Sequence, residues 1–202
     1  MSTACASGAS AIQLGVEAIR RGEAEAALCI GTDGSVNPEA LIRFSLLSAL
    51  STSNNPPESA AKPFAKNRDG FVMAEGAAAL VLESYDSAVA RGANILGVLA
   101  AAGEMADSFH RTRSSPDGAP IVAAIRGAIE DAGLTPDDID YVNAHGTGTP
   151  ENDKMESMGC MAVIGERMKS VPISSNKSMI GAPSGLERVR WKPSPRSPQP
   201  RT

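Results

Sequence analysis

A chain of 202 residues with 42% hydrophobic content is long and apolar enough for one α/β domain with its own core, so disorder is excluded as the default. Nineteen basic residues against 23 acidic ones, a formal charge of -4, give no broad field for holding nucleic acid or an anionic membrane. Cys5, Cys29 and Cys160 are too scattered for a disulfide framework or a zinc site and fit a reducing, cytoplasmic setting, and no membrane-spanning run or signal segment is read in the chain.

The first predicted helix runs from about Ala6 to Arg21, with Ile12, Val16 and Ile19 at helical spacing and Gly22 as its stop, so Cys5 sits at a helix amino terminus. Ala24 to Ile30 reads as a buried strand followed by the turn cluster Gly31-Thr32-Asp33-Gly34. Asn37 as cap and Pro38 at the first helical position announce a helix through about Leu46. The polar, proline-rich stretch from Ser51 to Pro63 is a predicted loop. Beyond it the expectation is a strand over Ala77 to Glu83, a short helix over Tyr85 to Arg91, and a strand over Ile95 to Ala102.

The alternation continues with a helix over Ala119 to Ala132, whose stripe is Ile121, Ile125 and Ile129. A turn at Thr135 to Asp138 leads to a strand around Ile139 to Asn143, a helix over Asp153 to Arg167, and a strand over Val171 to Ser174. Apolar strands separated by amphipathic helices predict a largely parallel sheet covered on both sides. After Gly181 the character changes. Residues 182–202 combine Pro183, Pro193, Pro195, Pro198 and Pro200 with four arginines and the lone tryptophan, from which no core element can be built. That segment reads either as a natural flexible tail or as the out-of-frame product of a frameshift, leaving residues 1–181 as the folded core.

Three segments carry chemistry. Ser2-Thr3-Ala4-Cys5-Ala6-Ser7-Gly8 places a thiol among small residues at a helix start, where dipole and amide N–H groups favour thiolate; a small buried hydrophobe is the alternative use of such a cysteine. Asn143-Ala144-His145-Gly146-Thr147-Gly148-Thr149-Pro150 follows a strand and precedes a helix, so His145 stands where open α/β proteins build sites, unless it only caps a turn. Ser174-Ser175-Asn176-Lys177-Ser178 again follows a strand and supplies a cation, although most lysines are simply solvated. Cys29 and Cys160 read as core residues.

Taken in chain order, these motifs closely resemble those of the β-ketoacyl-acyl-carrier-protein synthases, in particular the elongating bacterial type II enzymes of the thiolase superfamily. Arg68-Asp69-Gly70-Phe71-Val72, Glu75-Gly76-Ala77 and Asn152-Asp153-Lys154-Met155-Glu156 extend the resemblance, which covers Ser2 to Gly181. It implies an α/β protein with a thiolase-like layered αβαβα fold, truncated at both ends. It also implies a decarboxylating Claisen condensation in fatty acid synthesis. Cys5 would accept an acyl group from the phosphopantetheine arm of acyl carrier protein, and His145 would polarise the malonyl thioester. Lys177 matches a lysine that balances charge beside that histidine, Asp153 and Glu156 match acidic residues supporting the region, and Thr147 and Thr149 match threonines that contact the pantetheine arm. The resemblance implies no metal or cofactor, acyl carrier protein as partner, a homodimer, and neither nucleic acid nor membrane. A ketosynthase of a polyketide or nodulation-lipid pathway would share every motif, and an inactive product of a broken gene is a third reading.

The sequence departs from the family at three places. A second histidine should follow Gly181, but Ala182 stands there, and His110 lies in a loop far from that motif. Loss of one such oxyanion donor costs about 2.7–4 kcal/mol in the rate-limiting barrier, so condensation is expected to be severely impaired. Ser53 and Asn54 occupy the loop where the family often carries an arginine for the carrier protein. Members are also considerably longer, so strands beside those present are expected to be missing, with apolar faces and strand edges left bare.

Overall fold

The computed structural model describes residues 2–182, and the remainder of the expected tail lies outside the described residues. Helix α1 spans Ser7–Arg20, with Ile12 at its buried centre. Its stop is chemical. Gly22, at φ +69°, lets its own N–H donate to the Ile19 carbonyl and that of Glu23 to Ala18, closing the last turn. The chain then reverses into β1, Ala26–Asp33, which pairs antiparallel with β2, Gly76–Glu83, so that Cys29 faces Leu80 and Leu28 faces Val81.

Alternation along these strands separates two faces. On one, α1 lies close because Gly15 has no side chain: a Cβ there would stand 2.5 Å from the Cys29 sulfur and 3.1 Å from the Ala27 Cβ. The other face presents Leu28 and Val81, which are 63% and 70% exposed, together with Ile30. This matches the bare apolar surface expected of the sequence.

Between β1 and β2, helix α2 spans Pro38–Ser45, with the Asn37 side chain accepting from the Ala40 N–H at 2.9 Å. Helix α3, Tyr85–Ala90, is capped by the Ser84 hydroxyl. Helix α4, Ala119–Asp131, packs on α5, Pro150–Ile164; a Cβ on Gly159 would come within 2.4 Å of Ile121 Cγ2. Ile129, Met155, Cys160 and Ile164 are buried there. The strands β3, Val142–Asn143, and β4, Ile173–Ser174, pair in parallel, and α6, Lys177–Ile180, follows. No helix among the described residues is long and apolar enough to cross a membrane.

Four expectations need correction. The described strands form one antiparallel and one parallel pair, not a largely parallel sheet. Residues 95–102 are not strand, despite their apolar run, because a ladder requires a hydrogen-bonded partner and none of the described strands supplies one. The two strands expected from Ile139 and Val171 shrink to two residues each, since only Val142–Asn143 and Ile173–Ser174 are in register. The helix expected over Asp153 to Arg167 begins earlier, at Pro150, and ends at Ile164, where Gly165 at φ +66° breaks it.

Candidate functional site

The β3–β4 pair builds the site by ending both strands at one edge. The segment Ala144 to Thr149 leaves β3 and enters α5, while Ser175 and Asn176 leave β4 and enter α6. His145 and Lys177 meet there. Lys177 Nζ donates to the His145 carbonyl at 2.8 Å and lies 3.3 Å from His145 Nδ1. Only 8% of Lys177 is exposed, so this ammonium is held within the protein rather than solvated on a loop. An ammonium has no acceptor to offer. An ammonium facing Nδ1 favours the tautomer of the neutral ring that carries its proton on Nε2.

The backbone around His145 is fixed from α5. Glu156 accepts from the His145 N–H at 2.6 Å and the Gly146 N–H at 2.8 Å, and the Asn152 amide reaches the same carboxylate at 3.4 Å. Asp153, only 1% exposed, accepts from the Phe64 N–H at 2.7 Å, the Gly148 N–H at 3.2 Å and the Asn152 amide at 3.2 Å, and pairs with Arg68 at 3.3 Å. A buried carboxylate is stable only with such a complement of donors and a counter-charge. Both glycines of the loop are needed on steric grounds. Gly146, at φ +45°, would bring a Cβ within 2.5 Å of Ser175 Cβ, and Gly148, at φ +83°, within 2.9 Å of the Gly70 carbonyl oxygen.

Thr147 and Thr149 hydrogen-bond to each other through their hydroxyls at 2.9 Å. Cys5 lies two residues before α1, is partly buried, and takes part in no disulfide. Residues 71–75 lead into β2. Met73 there bridges to Ala182, whose N–H donates to the Val72 carbonyl at 2.8 Å. Thus Ala182, with a methyl group where the resemblance implies an imidazole, ties the segment carrying Lys177 to the segment that leads into β2. His110 sits in an exposed loop, its Nδ1 accepting from the Thr112 N–H, away from these residues in its hydrogen bonding.

The other two cysteines behave as core. Cys29 and Cys160 are 5% and 4% exposed. Burial raises both thiols, Cys160 to about 11 with a smaller contribution from the Glu156 carboxylate. An open groove of about 550 Å³ adjoins the site, lined by Phe64, Arg68, Asp153, Lys154, Met158 and Met161. It touches the Asp153 anchor but neither His145 nor Lys177.

Residue-by-residue reading missed the parts played by Arg68, Ser175 and Asn152. Ser175 donates to the His145 carbonyl at 3.1 Å and accepts from the Lys177 N–H at 3.2 Å, tying the two loops together. A serine two residues before the candidate lysine, at a strand end, is the signal that could have found it.

Two family descriptions match this chain: the β-ketoacyl synthase N-terminal domain over residues 1–88 and the β-ketoacyl synthase C-terminal domain over residues 96–185. The chain is 40% identical over 191 residues to 3-oxoacyl-[acyl-carrier-protein] synthase 2 of Synechocystis sp., covering 93% of this chain and 46% of that protein. It is 41% identical over 181 residues to the tetracenomycin polyketide synthase ketoacyl synthase alpha subunit of Streptomyces glaucescens, covering 90% and 42%. Among solved structures, a type II polyketide synthase ketosynthase in complex with its acyl-carrier protein and bound to the hexaketide superposes with a TM-score of 0.87 at 38% identity, covering 90% and 45%. A β-ketoacyl synthase from Burkholderia phymatum gives 0.84 at 41% identity, covering 91% and 44%. The chain therefore spans about half the length of the relatives it matches, and its fold is the thiolase-like ketosynthase fold in partial form. Both halves of the family's description fall in order along the sequence, and the chain belongs to the β-ketoacyl synthase family.

Proposed function

We propose that this chain serves the condensation of acyl thioesters presented by an acyl carrier protein, with Cys5 as acyl acceptor and His145 as the group that polarises the second thioester. The observation that supports the reading is the burial of Lys177 against His145, because an ammonium facing Nδ1 favours the tautomer whose Nε2–H can donate to developing oxyanion charge. In the first half-reaction the Cys5 sulfur bonds to the acyl carbon. The pantetheine thiolate leaves with the proton that Cys5 gives up. In the second, the malonyl carbon–carboxylate bond breaks and carbon dioxide departs. Its electron pair forms an enolate whose oxygen takes the hydrogen bond from His145. The enolate carbon then attacks the acyl-cysteine, and the Cys5 thiolate leaves.

Thr147 and Thr149 are proposed to receive the pantetheine arm, and Asp153 and Glu156 to hold the His145 loop in place. The reading asks for no bound metal or organic cofactor of its own, because the arm belongs to the carrier protein. It places the chain in a reducing cytosolic setting, where Cys5 remains a thiol, and includes the homodimer implied by the family resemblance. Ala182 has no side-chain donor, so the condensation step is expected to be slower by roughly a hundred- to a thousandfold while acyl loading continues. Fatty-acid and polyketide relatives match at 40% and 41% identity, so substrate chain length must be assigned by experiment.

The test is to incubate the full chain with an acyl-carrier-protein thioester, or with cerulenin, and locate the adduct by peptide mass spectrometry. Acylation of Cys5 with slow release of carbon dioxide from malonyl-carrier protein is expected. Folded protein that takes no adduct at Cys5 rules the reading out.

A further inference from the structure

The turn that carries Cys5 contains a strained residue. Ala4 sits at φ +52°, a left-handed conformation that costs free energy for a residue with a side chain and persists only where neighbouring contacts impose it. Side-chain contacts to this turn come from the first residue of α1. The Ser7 hydroxyl accepts from the Thr3 N–H at 2.9 Å and donates to the Ala4 carbonyl at 2.6 Å. One oxygen therefore grips both residues that precede Cys5. A second tie runs from the Thr3 hydroxyl to that of Ser10, at 3.1 Å, and Ser10 is buried in α1. Backbone bonds from Ala6 to Thr3 and from Ser7 to Ala4, at 3.2 and 3.1 Å, complete the turn but do not reach across Thr3 to the helix side chains.

We infer that Ser7 is a positioning residue for Cys5: its hydroxyl clamps the Thr3–Ala4 turn and thereby keeps the thiol at the amino end of α1. The inference rests on the reading of Cys5 as the acyl acceptor. Its physical basis is that the clamp is exposed to solvent. Water can replace the lost partners if the hydroxyl is removed, so the fold as a whole has little to lose. What is lost is the restriction to one turn geometry, and with it the fixed distance between the sulfur and the helix amides that favour thiolate.

The experiment compares the full chain with Ser7→Ala and Ser7→Thr. It follows iodoacetamide labelling of each cysteine by peptide mass spectrometry between about pH 6 and pH 9, alongside acyl loading and thermal unfolding. In Ser7→Ala, labelling of Cys5 near neutral pH is expected to slow roughly tenfold, with the pH of half-maximal rate moving up by about one unit. Ser7→Thr keeps the hydroxyl and is expected to restore the parent rate. Cys29 and Cys160, buried in both variants, serve as an internal control and are expected to stay unlabelled.

Labelling of Cys5 in Ser7→Ala at the parent rate and pH overturns the inference. So does concerted exposure of Cys29 and Cys160, because that signals loss of the fold and not of the turn. Should labelling depend on Ser7 while no acyl group is ever accepted, the clamp stands and the condensing role falls. If Ser7→Ala labels and acylates like the parent, the clamp falls and the condensing role is untouched.

Discussion

The His145 loop and the β1–β2 ribbon are held in opposite ways. Around His145 the ties are polar and numerous: Glu156 and Asp153 fix the backbone from one side, and Ser175 and Lys177 from the other. The ribbon has a full antiparallel ladder and a helix on one face, yet Leu28 and Val81 project from the other with most of their surface in solvent. The site loop finds the partners described for it within this chain, whereas the ribbon has a face that nothing among the described residues covers. A site can thus be well ordered by local charge and hydrogen bonding even where much of the hydrophobic surface around it is open.

The sharpest way to break this contrast is to remove the deepest tie. Asp153→Ala leaves Arg68 without its counter-charge and the Phe64 and Gly148 N–H groups without an acceptor. A loss of about 3–5 kcal/mol is expected in denaturant unfolding, and a loss near zero would mean that the loop is not held by that carboxylate.

A paired test addresses the ribbon. Ile12→Ala, in the face that α1 buries, is expected to cost about 2–5 kcal/mol. Val81→Lys, on the bare face, is expected to change stability by no more than about 0.5 kcal/mol while raising solubility. A large cost at Val81, measured in the same urea titration, would show that something covers that face in solution.

The smallest effect concerns Asp69, an exposed relative of the Asp153 anchor. Hydrogen bonds, first from the Ser51 hydroxyl and then from the Ser53 hydroxyl and Thr52 N–H, hold its carboxyl below the ordinary value, with Lys62 adding to the effect. A carboxylate lowered in the folded state contributes stability above its ordinary range, and that contribution fades as pH falls through the lower folded value. Melting temperatures taken downward from about pH 5 should therefore drop more steeply for the parent than for Asp69→Asn. Parallel curves would mean that the 51–54 loop is not pinned through this charge.

Helix existence was readable because its signals are local. Asn37 and Pro38 announce α2, Gly22 stops α1, and the spacing of Ile12, Val16 and Ile19 needs no knowledge of the rest of the fold. Strand pairing was not readable to the same degree. The apolar runs of β1 and β2 suggested burial on both faces, yet they pair antiparallel and leave one face open. The run at 95–102 shows the same limit, since an apolar segment becomes a strand only when another backbone arrives to pair with it.

For the site, the residue types and their order along the chain are properties of the sequence alone: a cysteine before a helix, a histidine after a strand, and a lysine after the next one. Only the tertiary structure decided that Lys177 is buried against His145, that Glu156 and Asp153 turn back from α5 to hold the loop, and that Ala182 bridges to the segment leading into β2. Periodicity and capping act over a few residues, whereas the partner of a buried charge is chosen by packing between segments far apart in the chain.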